Sequence, residues 1–192
     1  RALNVFITRA LNATTAQVNL LDESEMPTET NVNMTFYDNF PGQIKYNFIH
    51  TMNHRGLPDT LVLDPLINYD IVVHTIPEVT VENISISEGK HTVIPVDAAQ
   101  GDLSLKIGGN WRTIRNLQAI VREHGDTKTL HIQNFGTTEK YLTGIYDLEV
   151  LALPRFKIDS VVVSQSSTTT IEIPMPGIAT IRKVVDGYGS LY

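Results

Sequence analysis

The segment Tyr69-Asp70-Ile71-Val72-Val73 recurs 77 residues later as Tyr146-Asp147-Leu148-Glu149-Val150. The same spacing carries Ile76-Pro77 onto Leu153-Pro154, Val79 and Val81 onto Phe156 and Ile158, and Ile84 and Ile86 onto Val161 and Val163. It also carries Thr92, Ile94 and Val96 onto Thr169, Ile171 and Ile173. One residue is then deleted, so that Gln100-Gly101 aligns with Pro176-Gly177 and Leu105 with Ile181. Upstream the spacing widens to 85, where Val32, Met34 and Phe36 match Leu117, Ala119 and Val121, and Asp38 matches Glu123. An internal repeat constrains the fold more than any short motif, because each copy must be a unit that buries the same positions. The length differences fall in turns, where insertions are tolerated. Inward-facing apolar positions and turn residues are kept, and polar side chains are not, which is the pattern of a duplicated scaffold.

The repeated unit reads as β. In Asn31-Val32-Asn33-Met34-Thr35-Phe36-Tyr37 the apolar residues alternate with polar ones, the period of a half-buried strand. Residues 13–20 and 113–123 have lengths suited to short helices, but their Thr and Val content argues for strand. Turn signals recur at Asn39-Phe40-Pro41-Gly42, Gly56-Leu57-Pro58, Glu88-Gly89 and Gln100-Gly101. Many short strands with frequent turns point to an all-β fold of two tandem antiparallel β-sandwich modules. The expected boundaries are 31–108 and 112–183, with Gly108-Gly109-Asn110 as the joint. Residues 1–30 hold further strands, Leu3 to Thr8 and Ala16 to Leu21, that end a preceding domain or begin module one; 184–192 is a linker or the start of a further module.

Each matched residue has a physical role. The Tyr of Tyr-Asp can bury its ring while its hydroxyl stays bonded. The repeated Pro ends its strand, since it cannot donate to a ladder. In-face spacing changes from two to three between Val81 and Ile84, and again between Ile158 and Val161, which predicts a β-bulge. The Gly at 101 and 177 suits a tight turn into the last strand.

Composition narrows the function. With 42% hydrophobic and 19% charged residues, the 192-residue chain can build a core. A net charge of −6 repels phosphate, and Lys and Arg form no basic run, so nucleic acid is not expected as a partner. The absence of cysteine excludes disulfides, thiolate zinc sites and a cysteine nucleophile. No apolar run approaches the roughly 20 residues that span a bilayer as a helix, so no transmembrane segment is expected. The chain opens at Arg1 without Met and ends in the strand-like Ser190-Leu191-Tyr192, which reads as a segment of a larger, processed protein.

Together, the alternating strand ending in Tyr37-Asp38, then Leu63-Asp64-Pro65, Tyr69-Asp70-Ile71-Val72-Val73, Pro77, Gly89 and Gln100-Gly101-Asp102-Leu103 resemble the carboxypeptidase-regulatory, prealbumin/Ig-like β-sandwich. More narrowly, they resemble the tandem repeats that follow the von Willebrand factor A domain in exported Bacteroidota proteins. The resemblance covers both repeats. It implies an extracytoplasmic setting, at the cell surface or in the periplasm, and an accessory role without catalytic residues.

Candidate chemistry is sparse. Val18 to Met26 has part of an Asp-x-Ser-x-Ser metal loop in Asp22 and Ser24, but Met26 stands at the second serine. His50 and His54 lie four apart, without the Glu that a helical zinc-protease motif requires, and read as exposed loop histidines. His74 and His91 have Leu151 and Thr168 as counterparts and read as surface residues. His124 and His131 flank a hairpin turn and could approach across it. Ser164-Gln165-Ser166-Ser167 has no nucleophile elbow and aligns with the turn Ser87-Glu88-Gly89-Lys90. Gly108-Gly109 is too short to cradle phosphate. Trp111 reads as packing between the modules, and Tyr46, Tyr141, Tyr188 and Tyr192 form no stripe for stacking sugars. Sequons at Asn12, Asn33 and Asn83 are incidental in a bacterial protein. Catalytic, cofactor and metal residues are therefore all expected to be none. The function expected is a non-catalytic structural or protein-interaction segment with a protein partner in the cell envelope; the alternative is a carbohydrate- or small-ligand-binding module.

Overall fold

The computed structural model describes residues 14–109 and 116–175. Among them the chain forms fourteen strands and no helix. The first seven are β1 (Thr15–Leu21), β2 (Val32–Asp38), β3 (Ile44–His50), β4 (Thr60–Val62), β5 (Asn68–Val73), β6 (Val79–Ser85) and β7 (His91–Asp97). The second seven are β8 (Gln100–Ile107), β9 (Gln118–Glu123), β10 (His131–Asn134), β11 (Thr138–Leu142), β12 (Gly144–Val150), β13 (Phe156–Val163) and β14 (Thr168–Ile173).

The two sets have one topology. Sheets of order β4-β1-β7 and β3-β2-β5-β6 are matched by β11-β8-β14 and β10-β9-β12-β13. Pairing is antiparallel except for β1 with β7 and β8 with β14, which run parallel. Each pair of sheets encloses its own core. Val18, Leu20, Met34, Phe36, Tyr69, Ile71 and Ile94 lie in the first, and Leu103, Leu105, Val121, Tyr141, Tyr146 and Leu148 in the second. Alternation makes these cores: in β1 the buried residues are Ala16, Val18 and Leu20, with Thr15, Gln17 and Asn19 between them.

The register reproduces the repeat found by sequence. Met34 and Phe36 pair with Val73 and Ile71, while Ala119 and Val121 pair with Val150 and Leu148. The expected bulge is present in both copies. Tyr69 faces Ile84 and Ile71 faces Val81, so Asp70 alone opposes Glu82 and Asn83. In the second copy Tyr146 faces Val161 and Leu148 faces Ile158. Asn83 and Ser160 take the left-handed backbone there, at φ 56° and 60°. The peptides Ile76-Pro77 and Leu153-Pro154 are both cis.

Two expectations are corrected. Strand β8, expected at the end of the first module, pairs with β11 and β14 and fills the second core. The repeat aligns it with residues after β14, and the pairing makes it also the counterpart of β1, because Thr15 faces His91 as Asp102 faces Thr168. Strand β1 accordingly belongs with β4 and β7. Gly101 is not in a turn. It lies inside β8, where a Cβ would collide with the Ser164 carbonyl oxygen and the Val163 side chain, so close backbone approach requires glycine. Leu3 to Thr8, Asn12, Trp111, Pro176-Gly177, Ile181, Tyr188 and Tyr192 lie outside the described residues.

Candidate functional site

The repeated Tyr-Asp pair is scaffold chemistry in full. Tyr69 and Tyr146 are buried, and their hydroxyls donate to the Asp64 carbonyl at 3.2 Å and the Leu142 carbonyl at 2.8 Å. Burial pushes the Tyr146 hydroxyl up to about 12. The aspartates clamp the bulge: Asp70 accepts the Asn83 N–H at 2.7 Å and Asp147 the Ser160 N–H at 2.9 Å. The expectation that polar side chains differ between the copies misses this role, although Asp70 and Asp147 stand in the strongest match. Asp70 also accepts the Asn39 amide, whereas Asp147 accepts His124 Nδ1 at 2.9 Å and the Gly125 N–H at 3.1 Å. The His124 contact comes first among the causes that hold Asp147 down at about 2, and it raises His124 in turn.

The histidines do not converge. His54 is exposed, whereas His50 is only 3% exposed, a correction to the loop reading. His50 ends β3 facing inward, and its Nε2 reaches the Val18 carbonyl at 3.0 Å, joining one sheet to the other. Its Nδ1 is buried without a partner, and burial lowers its pKa. His91 contacts Thr15 Oγ1 at 2.9 Å. His74 bonds Thr35 and Glu78, each at 2.7 Å. His131 bonds Glu139 at 2.6 Å, so His124 and His131 take separate carboxylates and do not meet. Among the described residues no three His, Asp or Glu side chains are arranged to hold a metal ion.

The other candidates resolve into turns. Asp22 accepts the Thr28 hydroxyl and the N–H groups of Met26 and Ser24, which holds it below the usual carboxylate range and ties it into the turn. The turn Ser164–Ser167 closes through the Ser167 N–H and Ser164 carbonyl, as Lys90 closes on Ser87. Tyr46 stacks with Phe48 against the first core, and Tyr141 is buried with its hydroxyl on Gln133. Asn33 and Asn83 are exposed on β2 and β6.

What remains is the joint between the two sandwiches. Only Ala98 and Ala99 separate β7 from β8. The Leu142 N–H donates to the Ile76 carbonyl at 2.7 Å, and the Thr143 N–H to the Ala99 carbonyl at 2.9 Å. Ile76 packs its side chain against the second core. Glu29, buried before β2, accepts the Gln100 N–H at 3.2 Å and its side-chain amide at 3.4 Å. The Glu23 N–H donates to Gln165 at 2.9 Å, tying the loop after β1 to the one after β13. Beside these contacts lies an open cleft of about 520 Å³, with Ile76, Pro77 and Glu78 on one wall and Lys128, Leu130 and His131 on the other.

No family model matches the chain, and no curated protein does. Among solved structures the chain is similar to GBS52, the minor pilin of Streptococcus agalactiae, at 13% identity and a TM-score of 0.37, over 91% of this chain and 100% of that one. It is also similar to the Bacillus anthracis TIE protein, at 12% identity and a TM-score of 0.31, over 83% of this chain and 33% of that one.

Proposed function

We propose that the chain is a structural and protein-interaction segment of an exported or cell-surface protein, made of modules 14–98 and 99–175. The observation that carries this reading is the duplication of seven strands in the same order, each copy with its own core. The side chains kept in both copies serve the scaffold: the Tyr hydroxyl closes its own strand entry and the Asp closes the bulge. A scaffold copied without a shared polar site serves spacing and contact between proteins rather than turnover. The resemblance to carboxypeptidase-regulatory repeats of Bacteroidota supports the extracytoplasmic setting, and it stands on the sequence motifs alone. Tyr46 and Tyr141 pack inward, so neither offers a stacking surface for the glycan alternative.

Affinity capture from envelope extract with the whole 192-residue chain as bait tests the proposal. Recovery of one envelope protein, abolished by charge substitutions on an exposed strand edge, is the expected result. Retention of soluble glycans with no protein recovered would overturn it in favour of a carbohydrate-binding module.

A further inference from the structure

One half of the inter-module joint occurs twice. Ile76, which receives the second sandwich through its carbonyl and side chain, has Leu153 as its counterpart 77 residues on. Leu153 is 83% exposed. Met175 is the counterpart of Ala98, since each stands second after the matched pair Val96 and Ile173. Ala98 is wholly buried, whereas Met175 is 44% exposed. The trailing edge that is covered on the first sandwich is therefore uncovered on the second, and its apolar residues are still in place.

We propose that the Leu153 edge is a docking socket for a further sandwich of this same kind, following β14 in the chain. The occupant must present two consecutive unbonded backbone N–H groups, as Leu142 and Thr143 do for Ile76 and Ala99. This requirement rules out a second copy of the described chain. Thr15 pairs with Val62 as Asp102 pairs with Lys140, so Asp64-Pro65 is the counterpart of Leu142-Thr143. The Asp64 N–H is bonded to the Tyr69 hydroxyl at 3.0 Å, and Pro65 has no N–H. The leading edge of the first sandwich thus lacks both donors, while that of the second has spent them on Ile76 and Ala99. A head-to-tail contact whose leading face is blocked cannot propagate between copies, so the edge does not make filaments of this chain. The sequence match that carries Gln100-Gly101 onto Pro176-Gly177 and Leu105 onto Ile181 repeats, after β14, the residues that open the second module.

The inference rests on the modular reading, but its test uses no envelope partner, so the two can fail separately. A second copy of residues 99–175 is joined after Met175, giving a three-module chain with labelled Leu methyl groups. Leu153 then occurs twice, once at a filled socket and once at a free one. With a soluble paramagnetic probe, its methyl signals should split into one protected and one exposed set. L153S in the inner copy should remove the protected set, leave the exposed one and free the third sandwich to tumble independently, with the native joint at Ile76 unchanged; L153I, which restores the residue of the native joint, should keep the third sandwich docked. Two equally exposed Leu153 sets, or a third sandwich that tumbles independently with Leu or Ile at the socket, would overturn the proposal.

Discussion

At the residue scale the informative side chains are those held by one unusual partner. His50 donates through Nε2 to Val18, so its Nδ1 is the unprotonated nitrogen, and that nitrogen is buried. Burial depresses its pKa below the ordinary 6.5; Asp59, the charged group near it, opposes the shift, while its own carboxylate takes the Thr51 hydroxyl. The sign follows from proton linkage. Above pH 6.5 neither folded nor unfolded His50 is charged and its contribution is intact; as pH falls toward the folded pKa, the unfolded chain takes a proton that the folded one resists. The first module should therefore lose stability below that pH, and His50→Gln, which keeps a donor toward Val18, should flatten the loss in thermal melts from pH 7 to pH 5. His124 has the opposite sign. Its pKa is raised by Asp147, so its contribution is full below the unfolded value and fades as pH rises through the folded one. Amide exchange at Ser160, read on the second module alone, should quicken with rising pH beyond the intrinsic base catalysis, and His124→Asn should remove the excess. Asp70→Ala should cost about 0.5–1.5 kcal/mol, the net worth of a hydrogen bond whose Asn83 donor water can reach once the acceptor is gone; chemical unfolding measures it.

At the element scale the sequence carried the strand pattern, the bulges and the repeat, since all three rest on local alternation of apolar residues. It did not carry the placement of β8. A strand that follows β7 after two residues is local to the first module in sequence, and only hydrogen bonding with β11 and β14 makes it part of the second. Repeat arithmetic could have found this from the other end, by treating β1 as the first strand of a copy. The histidine at the end of β3 was equally hidden, because the segment to His54 looks like loop and burial of His50 depends on β1 across the sandwich. The assignment of β8 makes a sharp prediction. Gly101→Ala introduces a Cβ against the Ser164 carbonyl and should destabilise by about 1–3 kcal/mol, the range for overpacking. Amide exchange should quicken in β8, β11 and β14 while β1, β4 and β7 keep their protection; quickening in the first set instead would return β8 to the first module.

At the scale of the whole molecule the question is whether two sandwiches behave as one body. Inter-domain motion is the default unless the contact is extensive. Here the linker is two residues, and two backbone hydrogen bonds, a buried carboxylate and an apolar side chain all act within the same joint. Each of these draws on a group that already belongs to one of the folds, so closure orders little additional chain. Ile76→Ser removes the apolar contact, and Glu29→Ala leaves the Gln100 donors without their acceptor. Both side chains come from the first module and contact the second, so the first module should melt near its original temperature in both variants and the second somewhat below its own. Small-angle scattering should nonetheless show a larger radius of gyration in the double variant, and NMR alignment should need two tensors where the native chain needs one. If the native chain already needs two, the contacts at Ile76 and Glu29 are too weak to hold the sandwiches together, and the two modules are joined by a flexible tether rather than fixed as one body.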